Sequence, residues 1–252
     1  MSTACIVQAR MGSSRLPGKV LQELTPGETI LGRVVQRLRR AETIDHLIIA
    51  TTREVADDAI ADACRHLGVA CVRGDEFDVL DRYAEAIATV PDADVVVRVT
   101  ADCPYVDPEV IDELVTTLSE QHLDFVANRL PPPYRRTYPI GLDVEVCTRA
   151  ALETAWRDAA EPHHREHVMP YLYDEGAGFR IQVIDLPQDL SMHRWTVDTP
   201  EDLVVARRIA EVVGPEPFGW RKVLAVTLAD PSIESANAGQ VQKSVSDVDE
   251  RR

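Results

Sequence analysis

Two hydrophobic periodicities alternate along the first half of the chain. Short apolar runs of strand length occupy residues 4–9, 46–52, 69–72 and 94–100. Between them apolar positions recur at helical spacing, over 30–41 with Leu31, Val34, Val35 and Leu38 on one face, over 56–67 and over 79–89. A further helix is predicted over 108–120, with Asp107 placed to cap it and Pro108 in its first turn. Runs that are apolar throughout suit strands buried on both faces. Their alternation with helices predicts an α/β fold, a three-layer Rossmann-like arrangement around a mostly parallel sheet with right-handed crossovers. Sheets of this kind bind ligands at the carboxyl ends of their strands, in the loops that lead into helices.

The second half is less regular. The segment RLPPPYRRTYP (129–139) is proline-rich and basic, and fits neither a helix nor a central strand. GLDVEVCT reads as a strand with alternating faces, RAALETAW and HREHVMPYLY as helices, FRIQVIDL and HRWTV as strands. Residues 129–190 are therefore expected to form a smaller subdomain, inserted before the chain returns to the main sheet. The main domain is expected to span 1–228. Residues 229–252 are polar, hold almost no large apolar side chain, and read as a mobile C-terminal tail.

At 252 residues the chain is long enough for one large domain, or for one domain with a small appendage. A formal net charge of −15 argues against a general binder of nucleic acid or membrane surface, since either needs a broad basic face. No apolar run approaches a membrane span, and the N-terminus has no basic segment leading into a long apolar stretch. Cys5, Cys64, Cys71, Cys103 and Cys147 are odd in number and scattered, with no CxxC spacing. They read as reduced thiols, most of them small buried hydrophobes, and the expected compartment is the cytoplasm.

Against this acidic background, QARMGSSRLPGKVL (8–21) stands out. It follows the first predicted strand and carries Arg10, Arg15 and Lys19 with no acid. It is not a P-loop: Gly12 and Gly18 are one residue too far apart, and Val20 stands where a magnesium-binding hydroxyl is needed. The dinucleotide fingerprint is absent as well. The chemistry still points to phosphate. Gly12, Ser13 and Ser14 let backbone N–H groups approach an anion, the arginines offer bidentate donors, and Lys19 is a compact charge. Asp102 closes the strand DVVVRVTAD, where a carboxylate would face the crevice and suit magnesium. In TVDTPEDL, Thr199, Pro200, Glu201 and Asp202 satisfy the start of a helix, which leaves Asp198 over at another strand end.

IVQARMGSSRLPGKVL resembles the N-terminal signature of the cytidylyltransferases that make CMP-activated sugar acids, the CMP-Kdo and CMP-sialate synthetases, and in particular the SpsF-like branch. The similarity continues, in the family's order, through RVTADCPYVDP (98–108), YPIGLDVEV (138–146), REHVMPYLY (165–173) and RWTVDTPEDL (194–203). The resemblance implies transfer of CMP from CTP to a small acidic acceptor, with release of pyrophosphate. It implies Mg2+ held by Asp102 and Asp198. It places the nucleotide on Ala9, Arg10, Gly12, Ser13, Ser14, Arg15 and Lys19, with Gly74, Asp75, Leu80 and Arg82 beside base and ribose. Lys19, Arg10 and Arg15 become the catalytic cations. Relatives are dimers whose middle subdomain packs against the neighbouring site, so a homodimer is expected.

An anionic acceptor needs cations in the second half, and Arg98, Arg135, Arg136, Arg165, His167 and Arg194 are the candidates. His163 and His167 have the i, i+4 spacing of some zinc sites, but no third ligand with matching spacing is evident. Two acceptor classes fit, a sugar acid or a small phosphonate of natural-product biosynthesis. Transfer from another nucleoside triphosphate to a sugar phosphate is a second reading, although such relatives usually have a longer glycine-rich first loop. A non-catalytic nucleotide-binding scaffold is a third. It is disfavoured because Lys19, Asp102 and Asp198 are all present.

Overall fold

A computed structural model describes residues 1–174, 176 and 178–240. The first half builds β1 (Ser2–Gln8), a hairpin of β2 (Glu23–Thr25) and β3 (Glu28–Thr29), and α1 (Ile30–Leu38). Next come β4 (His46–Thr52), α2 (Asp58–Leu67), β5 (Ala70–Gly74), α3 (Val79–Ala88), β6 (Ala93–Thr100) and α4 (Pro108–Glu120). The second half adds β7 (Phe125–Ala127), β8 (Glu145–Thr148), α5 (Arg149–Asp158), α6 (Pro162–His167), α7 (Pro170–Tyr173), β9 (Ile181–Val183), α8 (Pro200–Val213) and α9 (Trp220–Ala229).

The predicted helix starts are realised by their capping residues. Asp107 accepts from the Glu109 N–H at the head of α4, and Thr199 and Asp202 form a reciprocal capping box on α8. One seven-stranded sheet runs in the order β5-β4-β1-β6-β8-β7-β9. β5, β4, β1 and β6 are mutually parallel, as are β7 and β9, while β8 lies antiparallel to both its neighbours. The sheet is thus mostly parallel, with helices on both faces. One core gathers Leu31, Val34, Leu38, Ile111, Leu114, Val205 and Ile209 on the α1, α4 and α8 side. The other gathers Leu80, Tyr83, Ile87, Leu152 and Leu172 on the α3, α5 and α7 side. Among the described residues no helix is long and apolar enough to cross a membrane.

Within the stretch 129–190, read as an inserted subdomain, β8 and β9 join the main sheet. HRWTV is not a strand; Arg194 makes one isolated bridge to Ile140, and the segment otherwise runs beneath Gly141. Residues 229–240, expected in the tail, are packed: Pro231–Ala236 forms a 3-10 helix, with Ile233 and Asn237 buried. The remainder of that tail, 241–252, lies outside the described residues.

The order of the strands positions the site. From β1 the chain moves outward through β4 and β5, then returns to the other side of β1 as β6. The crevice at this switch point opens between the carboxyl ends of β1 and β6.

Candidate active site

The loop after β1 lies at that crevice. Its entry is fixed by Asp57, which accepts from the Met11 N–H at 2.6 Å and from the hydroxyl of Thr52 at the end of β4. Met11 C=O then accepts from both Ser13 N–H and Gly18 N–H at 2.9 Å, which closes the loop on itself. Gly18 takes the left-handed conformation (φ 72°) and starts the one-turn 3-10 helix Lys19–Leu21. Lys19 is thereby turned inward, its side chain 9% exposed.

Across the crevice, Asp102 follows β6. The segment 194–198 passes beside it, with Val197 N–H donating to Asp102 C=O at 2.8 Å. This brings Asp102 and Asp198, ninety-six positions apart, to the same ammonium. Lys19 Nζ donates to Asp102 Oδ2 at 2.5 Å and to Asp198 Oδ1 at 2.8 Å. Burial alone would push the Lys19 pKa down; the two carboxylates outweigh it, and the net shift is upward. Burial likewise acts against the Asp102 carboxylate, and Lys19 reverses it to a net lowering. Lys19 and Asp102 therefore stand as an ion pair at neutral pH.

A cavity of about 230 Å³ opens over this triad. Of the candidate site residues, Ala9, Arg10, Ser13, Ser14, Arg15, Lys19, Arg82, Asp102, His167 and Asp198 line it. Gln8, Val20, Val79, Thr100, Ala101 and Glu166 line it too, and were missed. Gln8 and Thr100 are the last residues of adjacent parallel strands, a position that could have flagged them. Nothing in HHREH distinguishes Glu166 from its neighbours. Arg15 reaches Asp198 Oδ2 at 3.1 Å, and Arg10 lies 3.9 Å from Glu76. Arg82 is 2% exposed, yet its Nε and Nη1 have no hydrogen-bond partner. Burial, with Arg10 nearby adding to it, depresses its pKa. A buried, unsatisfied guanidinium on a cavity wall calls for an anion or a carbonyl.

The other predicted residues sit elsewhere. Gly74, Asp75 and Leu80 do not line the cavity. Asp75 accepts from the Phe77 and Asp78 N–H groups and shapes the turn into α3, while Leu80 is core. Gly74 has an indirect part, since a Cβ there would come within 2.6 Å of both Arg82 Cγ and Glu85 Oε2. Gly12 sits in the loop backbone without lining the cavity.

Most of the expected acceptor cations are also occupied. Arg98 is paired with Glu145 within the sheet, Arg135 with Asp189 on the surface, and Arg136 bidentately with Asp143 at 2.8 and 3.0 Å. Arg165 binds Asp78, which ties α6 to the head of α3. Arg194 is 4% exposed and lies behind the cavity, donating to Asp198 Oδ2 at 2.8 Å and to Asp202. Of the six, His167 alone lines the cavity.

His163 meets His164 and Asp174, not His167. A metal on His164 Nε2 would leave its buried Nδ1, which has no partner, as an unsatisfied N–H. Metal-bound imidazoles normally donate that proton, so the cluster is a poor zinc site. Asp102 and Asp198 suit a divalent cation better. Both supply hard oxygen donors to the cavity, and the Cys103 thiol lies 3.6 Å from Asp102 Oδ1. The Lys19 ammonium already shows that the pair can share one cation. The five cysteines are free thiols, four of them buried.

Residues 4–211 match the sequence profile of the cytidylyltransferases. The chain belongs to the cytidylyltransferase family. This cytidylyltransferase is 34% identical over 219 residues to the spore coat polysaccharide biosynthesis protein SpsF of Bacillus subtilis, a match covering 84% of this chain and 88% of that protein. It is 31% identical over 246 residues to a 3-deoxy-manno-octulosonate cytidylyltransferase of Anaeromyxobacter, covering 82% and 96%. Among solved structures, a cytidylyltransferase from Leptospira borgpetersenii superposes with a TM-score of 0.87 at 30% identity, covering 97% of this chain and all of that one. The cytidylyltransferase described here is thus a nucleotidyltransferase, and its overall fold is shared with that solved relative.

Proposed function

We propose that this cytidylyltransferase transfers CMP from CTP to a small acidic acceptor of the sugar-acid type, releasing pyrophosphate. The observation that carries this reading is the Lys19 ammonium held between Asp102 and Asp198 at the base of a cavity whose first loop adds Arg10, Ser13, Ser14 and Arg15. The triphosphate would lie along that loop. Ser13 and Ser14 approach it closely, Arg10 and Arg15 donate to its oxygens, and Lys19 faces the α-phosphate. An acceptor oxygen forms the new bond to the α-phosphorus as the bond to the bridging oxygen breaks, and the electron pair leaves with pyrophosphate. Such a transfer needs alignment and charge neutralisation more than a covalent intermediate or a strong base. Asp102 and Asp198 would hold a divalent ion, magnesium in this reading, which neutralises phosphate charge when bound. Arg82 offers its free donors to the nucleotide.

The acceptor is assigned to sugar acids because the relatives named above act in spore coat polysaccharide synthesis and on 3-deoxy-manno-octulosonate. With Arg98, Arg136, Arg165 and Arg194 all committed to acids of the chain, the acceptor's anion must meet His167 and the loop cations. Pyrophosphate release with CTP and Mg2+, measured across a panel of sugar acids and small phosphonates, tests the proposal. Release with a sugar acid, and a CMP adduct by mass spectrometry, is the expected result. Release only with a phosphonate would move the acceptor class, and no binding of CTP at all would overturn the reading.

A further inference from the structure

The family match ends at residue 211, but the chain continues through α9 and then folds back across α8. The returning segment, 231–237, is held to the interior by Ile233 and Asn237, each 4% exposed. Its two polar anchors do not bond to α9. Both reach the stretch 193–202 that carries Asp198. Glu234 Oε1 accepts from the Trp195 indole N–H at 3.0 Å and from the Arg194 backbone N–H at 3.3 Å, while its Oε2 lies 2.7 Å from His193 Nδ1. Asn237 Nδ2 donates to Arg194 C=O at 3.1 Å and to Asp202 Oδ1 at 2.9 Å.

Behind these contacts Asp202 is a junction. Its carboxylate, 1% exposed, also accepts from the Asp198 and Thr199 N–H groups and from the Arg194 guanidinium. Arg194 in turn donates to Asp198 Oδ2, on the side of that carboxylate away from Lys19. A chain of hydrogen bonds thus runs from Glu234 and Asn237, through Arg194 and Asp202, to the carboxylate at the cavity. A buried carboxylate that shares an arginine can rotate or slide unless the arginine is fixed, and the backbone of 193–195 has no strand neighbour beyond one bridge.

We infer that Glu234 and Asn237 are positioning residues of the cytidylyltransferase, and that the segment 231–237 is a strap that holds Arg194, Asp202 and so Asp198 in the orientation the transfer requires. The inference rests on the proposed role of Asp198.

The test compares Glu234→Ala, Asn237→Ala and Glu234→Gln with Val223→Ala, a buried apolar truncation in α9 outside this network. Hydrogen exchange of the backbone amides of 194–199 is measured on the folded proteins, together with uptake of Mn2+ by the CTP-loaded protein, read as loss of the free Mn2+ EPR signal. Exchange should rise about tenfold or more in Glu234→Ala and Asn237→Ala, the effect of losing one charge-assisted hydrogen bond. Mn2+ affinity should fall with it. Glu234→Gln, whose amide oxygen can still accept from Trp195 and Arg194, should stay near wild type. Unchanged exchange in the two alanine variants would overturn the inference, as would an equal rise in Val223→Ala at matched melting temperature. If the wild type takes up no Mn2+ with CTP present, the metal reading of Asp198 falls, and the exchange at 194–199 decides the strap alone.

Discussion

Lys19 is an ammonium held between two carboxylates that face one cavity, so its removal acts on both chemistry and charge balance. Lys19→Ala should slow pyrophosphate release by about 100-fold or more, the usual scale for losing one preorganised donor. Steady-state kinetics at saturating CTP checks this, and a rate near wild type would remove Lys19 from the site. The loop residues were legible because they form one contiguous stretch in which cations, small residues and glycine coincide. The acceptor arginines were not. Arg98, Arg135 and Arg165 are neutralised by acids far along the chain (Glu145, Asp189 and Asp78), partners that a local sequence window cannot show, while Arg136 and Arg194 turn to nearby acids through loop geometry that spacing does not give. Arg82 shows the converse: its place in the chain gave no sign that it would be buried without a partner.

Helices and strands were legible where burial is simplest. β1, β4 and β6 are apolar on both faces, and α4 carries its cap and its first-turn proline in the sequence. The second half misled because period-two patterning says that a strand is half-buried but not which sheet it joins. β8 and β9 extend the main sheet, and HRWTV owes its burial to Gly141 and Glu234. Gly141 sits at φ 105°, and a Cβ there would come within 2.5 Å of Thr196 N and 2.9 Å of Trp195 C. Gly141→Ala should therefore cost about 3 kcal/mol, read from denaturant unfolding. Gly74→Ala acts differently. It pushes on Arg82 through a flexible side chain, and should raise the Kd for CTP about tenfold in calorimetry while the fold persists.

For the whole molecule, stability and chemistry are served by separate charged clusters. Arg37, fully buried, joins α1 to the head of α4 and to the turn before α9, through Asp107, Glu216 and the carbonyls of Val106 and Phe218. Arg37→Ala leaves the buried Asp107 without its counter-charge and should cost about 3–5 kcal/mol in unfolding free energy. CTP should still bind the folded fraction with unchanged affinity, because none of these groups lines the cavity. The docking of 231–237 escaped the sequence because it depends on one isoleucine and two polar anchors in an otherwise solvated composition. The most direct measurement of the catalytic assignment compares Asp102→Asn with wild type, using pyrophosphate release beside calorimetric binding of CTP. Abolished release with CTP still bound is the expected result. Release at the wild-type rate would contradict the role given to the Lys19–Asp102–Asp198 centre.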